Sequence, residues 1–367
     1  MISKIKSYGK IGNRSHLLAV FLLFFFCCFN IGCQESEIDE DNTEKLIQEG
    51  LSLSEKEAEQ LEAYLKNKPE DLSVRIKLLG YYFMKGYTSE KSQKARQRHI
   101  FWIIKHKSES EIAGLPYIMI NPRKYPEAYK EASELWQKQV EIYRDKPSVL
   151  GNAASFFILN NDELSEKLLK RAKQLEPQNP EWPKLLGQLY QKRKVRKQEG
   201  EKKKTAFEAM REIEESLKLK KNDKEKFYLL SDLAKNAFDA GEIKKAEKYA
   251  IDLLNLAQKY KNNWNYGNAI HHAYTIHGRI SLISGDIAEA KEYLIKSAQT
   301  TGSPQLKSFG PNMSLAKDLL EKGECNIVLK YFELCENFWK SGKNKLMKWE
   351  KTVKEGKIPD FRANLSY

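Results

Sequence analysis

Cysteine is scarce in this chain, with five in 367 residues, and two of those sit side by side at Cys27 and Cys28 in an apolar run. Cys325 and Cys335 fall ten residues apart on what reads as one helix. About 15 Å of rise separates such positions, so a disulfide between them within that helix is excluded. Glycine (19) and proline (11) are too sparse for a low-complexity chain. HExxH, CxxC, GxxxxGK[ST] and GxSxG are all missing, and with them the common metal, redox, phosphate-loop and nucleophile signatures. No catalytic residue, cofactor or metal is expected, and the chain is read as a non-enzyme. His271, His272 and His277 share one helix, but adjacent side chains diverge by about 100° and a spacing of five does not stack. A chelate from that helix alone is awkward. Charge of a single sign is also lacking. The net charge is +13, yet charged residues make up 31% with both signs throughout, which is the composition of solvated helix faces. The most basic stretch, QKRKVRKQEGEKKK at 191–204, contains no aromatic ring. A nucleic-acid strip would interleave rings with its lysines, so this piece reads as a charged helical extension or insert over 191–224. Nucleic acid is not an expected partner.

No long hydrophobic run is present either. Leu17 to Phe29 is uncharged but spans thirteen residues, against about 20 for a membrane-crossing helix. Lys4, Lys6, Lys10 and Arg14 precede it, and Gly32-Cys33 closes it ahead of an acidic segment. A basic start, a short apolar core and a small residue at the junction describe a secretory signal. The Gly32-Cys33 junction resembles a bacterial lipobox, although Asn30 stands where leucine is usual. The resemblance implies a signal peptide over 1–32 and acylation of Cys33. A cleaved secretory signal and an uncleaved anchor are the alternatives. Residues 33–53 then read as an acidic tether, on the strength of Glu35, Glu37, Asp39, Glu40, Asp41 and Glu44.

The body of the chain repeats. Ala153 and Phe156 recur 34 residues later as Gly187 and Tyr190, with Ser165, Leu169, Ala172 and Pro177 between them. Leu79-Gly80 and Phe83 echo Leu186-Gly187 and Tyr190. Farther on, Gly241–Ala246–Tyr249 returns as Gly285–Ala290–Tyr293 and as Gly323–Val328–Tyr331. Each copy marks a turn, with glycine in the left-handed cap position of one helix. Small residues allow close helix crossings, and the large apolar ones fill the space around them. The pattern resembles the tetratricopeptide repeat (TPR) family over most of residues 55–340. It implies an all-α, right-handed TPR-like superhelical solenoid of about five or six helical hairpins. The blocks expected are 54–190 and 225–340, with a polar tail over 341–367.

Aligning the repeats places Lys184, Gln188, Ser231, Lys235, His272, Thr275, Arg279 and Lys317 on the faces that line the inner groove of such solenoids. The charged members are all basic, so an acidic or carboxylate-ended peptide is the natural complement. His277 is expected in the core. The function implied is protein binding in a bacterial cell envelope, as a lipid-anchored scaffold or assembly factor facing the periplasm or the exterior. The alternative is an accessory or degenerate catalytic helical domain acting on envelope polymer.

Overall fold

The computed structural model describes residues 40–86 and 89–365. Among these residues there is no strand, and every regular element is helical. The chain runs α1 (Glu40–Leu51), α2 (Glu55–Asn67), α3 (Leu72–Lys85), α4 (Glu90–His106), α5 (Pro126–Ile142), α6 (Pro147–Phe157), α7 (Asp162–Leu175), α8 (Glu181–Lys194) and α9 (Glu199–Leu219). It continues with α10 (Asp223–Asp239), α11 (Ile243–Lys259), α12 (Tyr266–Ile283), α13 (Ile287–Ala298), α14 (Pro304–Phe309), α15 (Ser314–Leu320), α16 (Cys325–Cys335) and α17 (Lys343–Lys354). Six pairs (α2/α3, α6/α7, α8/α9, α10/α11, α12/α13, α15/α16) are joined by turns of three or four residues. The fold is all-α and TPR-like. It divides into two compact units, one running to Tyr249 and one from Ala250.

Local chemistry sets the helix ends. Ser54 forms a reciprocal capping box with Glu57 at the start of α2. Asp71, Asn161, Asn222 and Asp286 each accept a backbone N–H three residues on, at 2.8–3.1 Å. The three glycine turns are alike in detail. Gly241, Gly285 and Gly323 have φ of +76°, +85° and +82°. The N–H of the next residue donates to a carbonyl five residues back: Glu242 to Ala237, Asp286 to Ser281 and Glu324 to Leu319. That bond ends each helix in one step and starts the return helix.

Packing follows the small residues. Ala153, Ser165 and Ala172 are fully buried, and Phe156, Leu169 and Tyr190 close around them. The Ser165 hydroxyl donates to the Ala154 carbonyl at 3.0 Å, which satisfies a polar atom inside the α6/α7 crossing. A Cβ on Gly187 would lie 2.4 Å from Ile213 Cγ1, and one on Gly278 would lie 2.3 Å from Leu315 Cδ2. The irregular piece after α4 is packed rather than loose. Ile112, Ala113, Tyr117 and Ile118 are buried in two short 3₁₀ turns. Arg96 holds the Tyr117 and Met119 carbonyls at 2.5 and 2.9 Å, and the Asn152 amide holds those of Ser108 and Ser110. On α16, Cys325 and Cys335 stand at opposite ends of one helix with free thiols. Burial pushes the Cys335 thiol pKa up.

Three boundaries depart from the sequence reading. Residues 1–39, with the signal peptide and Cys33, lie outside the described residues. From Glu40 on, the stretch expected to be a tether forms α1 instead. It buries Leu46 and Ile47 and crosses α3 so closely that a Cβ on Gly80 would sit 2.6 Å from the Ile47 carbonyl oxygen. The charged helical extension or insert expected over 191–224 is helical, mostly α9, but it is packed between α8 and α10 and buries Ala206, Ala209, Met210 and Ile213. Its lysines occupy the outer side, and Lys173 on α7 reaches Glu212 and Glu215 at 2.9 and 2.6 Å. The block boundary expected there is accordingly a packed hairpin, α8/α9. The expected polar tail is also structured. Phe361 is buried against Phe332 and Trp349, and the Asn364 side-chain amide donates to the Phe309 and Pro311 carbonyls at 3.1 and 3.0 Å.

Gly80→Ala should destabilise the protein by about 1–3 kcal/mol, because the atom it meets is backbone and cannot swing away. Gly200→Ala, with nothing within 4 Å of the added carbon, should leave the protein unchanged or slightly more stable. Thermal denaturation of the two variants checks whether α1 belongs to the folded body.

Candidate functional site

The residues predicted to line a groove fall in both units, and each unit is described by itself. In the first, Lys184 and Gln188 stand one turn apart on α8, and Ser231 and Lys235 stand one turn apart on α10. Gln188 and Lys235 are half-buried, whereas Lys184 and Ser231 are largely enclosed. At their far ends the two helices are tied by Lys194, whose ammonium donates to Asn236 Oδ1 at 3.0 Å and pairs with Asp239 at 2.6 Å. In the second unit, His272, Thr275 and Arg279 lie along α12, and Lys317 lies on the neighbouring α15. His272 and Thr275 are mostly buried, and the Thr275 hydroxyl donates into its own helix, to the His271 carbonyl at 2.8 Å.

The charge on these faces is mixed. Lys184 pairs with Glu181, and Lys220 reaches the same carboxylate at 2.9 Å. Lys235 pairs with Asp232 at 3.1 Å, Arg279 with Asp318 at 2.7 Å, and Lys317 with Glu321. Every predicted cation therefore has a carboxylate beside it, and the positive field expected from the sequence is largely neutralised. Among these acids Glu181 is the most perturbed. Burial works to raise its pKa, but Lys184 and Lys220 outweigh burial and hold it at about 2.

His277, expected in the core, is half-buried and stacks on Tyr293 with ring centroids 5.4 Å apart. The histidine the sequence reading passed over is His271, which is fully buried. Its Nδ1 lies 3.0 Å from the Ser297 carbonyl oxygen, and its Nε2 accepts the Asn312 N–H at 2.9 Å. Those partners assign a neutral ring with the proton on Nδ1. The ring thereby pins the connection between α14 and α15 to the α12/α13 hairpin. Asn268 does similar work at the start of α12, where its amide donates to Asn265 Oδ1 and Gln305 Oε1 and its carbonyl accepts from Ser303 Oγ.

A second polar constellation, also missed by sequence reasoning, lines a cleft of about 630 Å³ between α2 and α4, with α3 as its floor. His99 is buried at its base. Arg75 can only donate, so its contact with His99 Nδ1 at 3.3 Å makes that nitrogen the acceptor. His99 Nε2–H then donates to Glu62 Oε1 at 3.1 Å, an oxygen that also accepts from the Tyr82 hydroxyl at 3.0 Å. The Arg75 guanidinium lies 3.9 Å over the Trp102 ring and donates to the Pro69 carbonyl. Burial opposes ionisation of Glu62, yet its donors, His99 first, keep its pKa below the usual carboxylate range. The chain Arg75–His99–Glu62 joins three helices. Its sequence signal was a charged residue within an apolar stripe, Arg75 in VRIKLL and His99 in RHIFW.

No protein-family model matches the chain, and no curated protein sequence matches it. Among solved structures, yeast Tom70 is similar, with a TM-score of 0.45 and 17% identity, over 93% of this chain and 72% of that one.

The Glu181 cluster gives a pH prediction. A carboxylate with a depressed folded pKa contributes stability above its unfolded value of about 4.3, and that contribution disappears as pH falls towards about 2. Glu181→Gln should be less stable than the parent near neutral pH, on the order of 2 kcal/mol, with the gap closing below about pH 3. Denaturant titrations at neutral and acidic pH measure the difference.

Proposed function

We propose that this chain is a lipid-anchored, TPR-like interaction protein of a bacterial cell envelope, which holds a protein or peptide segment along its first helices. The observation that carries the reading is the pair of polar first-helix faces, α8 with α10 and separately α12 with α15, on which Gln188, Lys235, Arg279 and Lys317 remain partly exposed beside the enclosed Lys184, Ser231, His272 and Thr275. Helical-repeat folds characteristically present such surfaces to extended partners. Because Asp232, Asp318 and Glu321 already occupy the cations, an acidic or carboxylate-ended partner would bind by exchange of ion pairs. Recognition would then combine modest net charge with the hydrogen-bonding capacity of Gln188. The anchor belongs to the same reading and rests on the order of basic residues, apolar run and Gly32-Cys33.

Two experiments test the two parts separately. Cys33→Ser should abolish acyl labelling and release the chain from membranes; undiminished membrane attachment would place the anchor elsewhere. A photo-crosslinker at Gln188 or Lys235 should capture a discrete partner from detergent-solubilised envelopes, with a yield that falls as salt rises. The same crosslinker at Glu163, on the outer side of α7, should capture none. Equal capture at all three positions removes the first-helix surface as the binding face.

A further inference from the structure

The helix α17 presents a surface that neither the core nor the first-helix faces use. Leu346, Trp349 and Val353 form its inner stripe, packed with Trp339 and Phe361. Between positions 340 and 357 the sequence holds seven lysines, two glutamates and no arginine. Glu350 pairs with Lys354 at 2.5 Å, and Glu355 lies 4.0 Å from Lys351 and 3.8 Å from Lys357. Both acids are thus taken, and Lys343 and Lys348 stand exposed beyond them; a third acid, Asp360, is paired with Arg362 and also feels Lys348. In the middle of this field Met347 is 54% exposed, one turn from Lys343 on one side and from Lys351 on the other. Ile358, just past the helix, is 44% exposed.

We propose that this face of α17 docks on an anionic bilayer surface. The chemistry of the cations favours that occupant. Lysine is a hydrated point charge on a flexible stem, suited to a diffuse negative plane, whereas fixed carboxylates or phosphates are gripped better by the arginine fork; α17 has none, and the nearby Arg362 is paired with Asp360 at 2.9 Å. Clustered lysines next to apolar side chains are the pattern of a helix lying in the headgroup region, with the apolar tips entering the acyl boundary. Met347 and Ile358 are such tips. A single-stranded nucleic acid would need exposed rings for stacking, and the aromatics here, Trp339 and Trp349, are buried. The docking is a property of α17 and the residues that flank it. It adds to the envelope reading a second membrane contact that does not depend on Cys33.

The test uses the full chain and its Cys33→Ser form with vesicles of phosphatidylcholine, with and without phosphatidylglycerol. Hydrogen exchange is followed across residues 343–357. Several-fold slower exchange is expected on the anionic vesicles only, in both forms, and high salt should reverse it. Combined Lys343→Glu and Lys348→Glu substitution should abolish the protection while the thermal midpoint is kept. Lys343→Gln with Lys348→Gln, which introduces no repulsion, should weaken it. Equal exchange on neutral and anionic vesicles would overturn the proposal. So would protection by soluble polyglutamate but not by vesicles, which would assign the face to an acidic protein. Vesicle sedimentation of the two forms reports the Cys33 anchor independently, so either idea can fail without the other.

Discussion

Close approach of helix backbones is the constraint on which this structure depends. A Cβ on Gly50 would sit 2.1 Å from the Lys77 carbonyl oxygen, and one on Gly151 would sit 2.3 Å from the Trp182 ring. Neither neighbour is the loose end of a flexible side chain, so the crossing distance is fixed by the absence of a side chain. Large buried residues such as Phe156, Trp136 and Tyr331 then fill the volumes beside the crossings. A helical pair built this way buries too little by itself, and its remaining apolar side is covered by the next pair. The glycine turns serve the same end, since they bring the return helix back at once and keep the pair in register.

The polar groups follow from that packing. Where a crossing is tight, a buried side chain must find its partner within the neighbouring hairpin, as Ser165 does with the Ala154 carbonyl and His271 does with Ser297 and Asn312. On the outer sides, lysines and glutamates bridge adjacent hairpins, as with Lys173 and its two glutamates. Half-exposed bridges of that kind add little to stability individually. Their effect on recognition is larger, because they leave a strongly basic chain with first-helix faces of mixed sign. The excess positive charge is displayed elsewhere, notably on α17.

The repeat register was legible from the sequence because it is local. Gly241, Gly285 and Gly323 recur with an acid next, a small or β-branched residue five places on and a tyrosine eight places on, and the small and aromatic positions from Ala153 to Tyr190 mark both crossings. What stayed hidden was hidden by charge. The acidic residues around Asp41 and Glu44 masked the pattern of Leu46, Ile47 and Gly50, which is the apolar side of α1. Lys202, Lys203 and Lys204 likewise drew attention from Ala206, Ala209, Met210 and Ile213, whose spacing is that of a helix face. For the candidate site, the pairings of Lys184 with Glu181, Lys235 with Asp232 and Lys317 with Glu321 were readable as three- and four-residue spacings. The pairing of Arg279 with Asp318 was not, because 39 residues separate them and only the stacking of α15 on α12 joins them. His271 and His277 were confused for a related reason: both lie near the packed side of α12, and tertiary partners decide which is enclosed.

The two cysteines of α16 carry a consequence for where this body can fold. A rigid helix holds their sulfurs at its opposite ends, one half-exposed and the other sealed in apolar surroundings as an unreactive thiol. Neither can close a ring with the other, so this pair gives oxidative folding nothing to act on. Thiol–disulfide chemistry between them therefore sets no rate or yield. Neither cytoplasmic glutathione nor an oxidising periplasm can change that, so along this helix the second unit is held by packing and not by an internal cross-link.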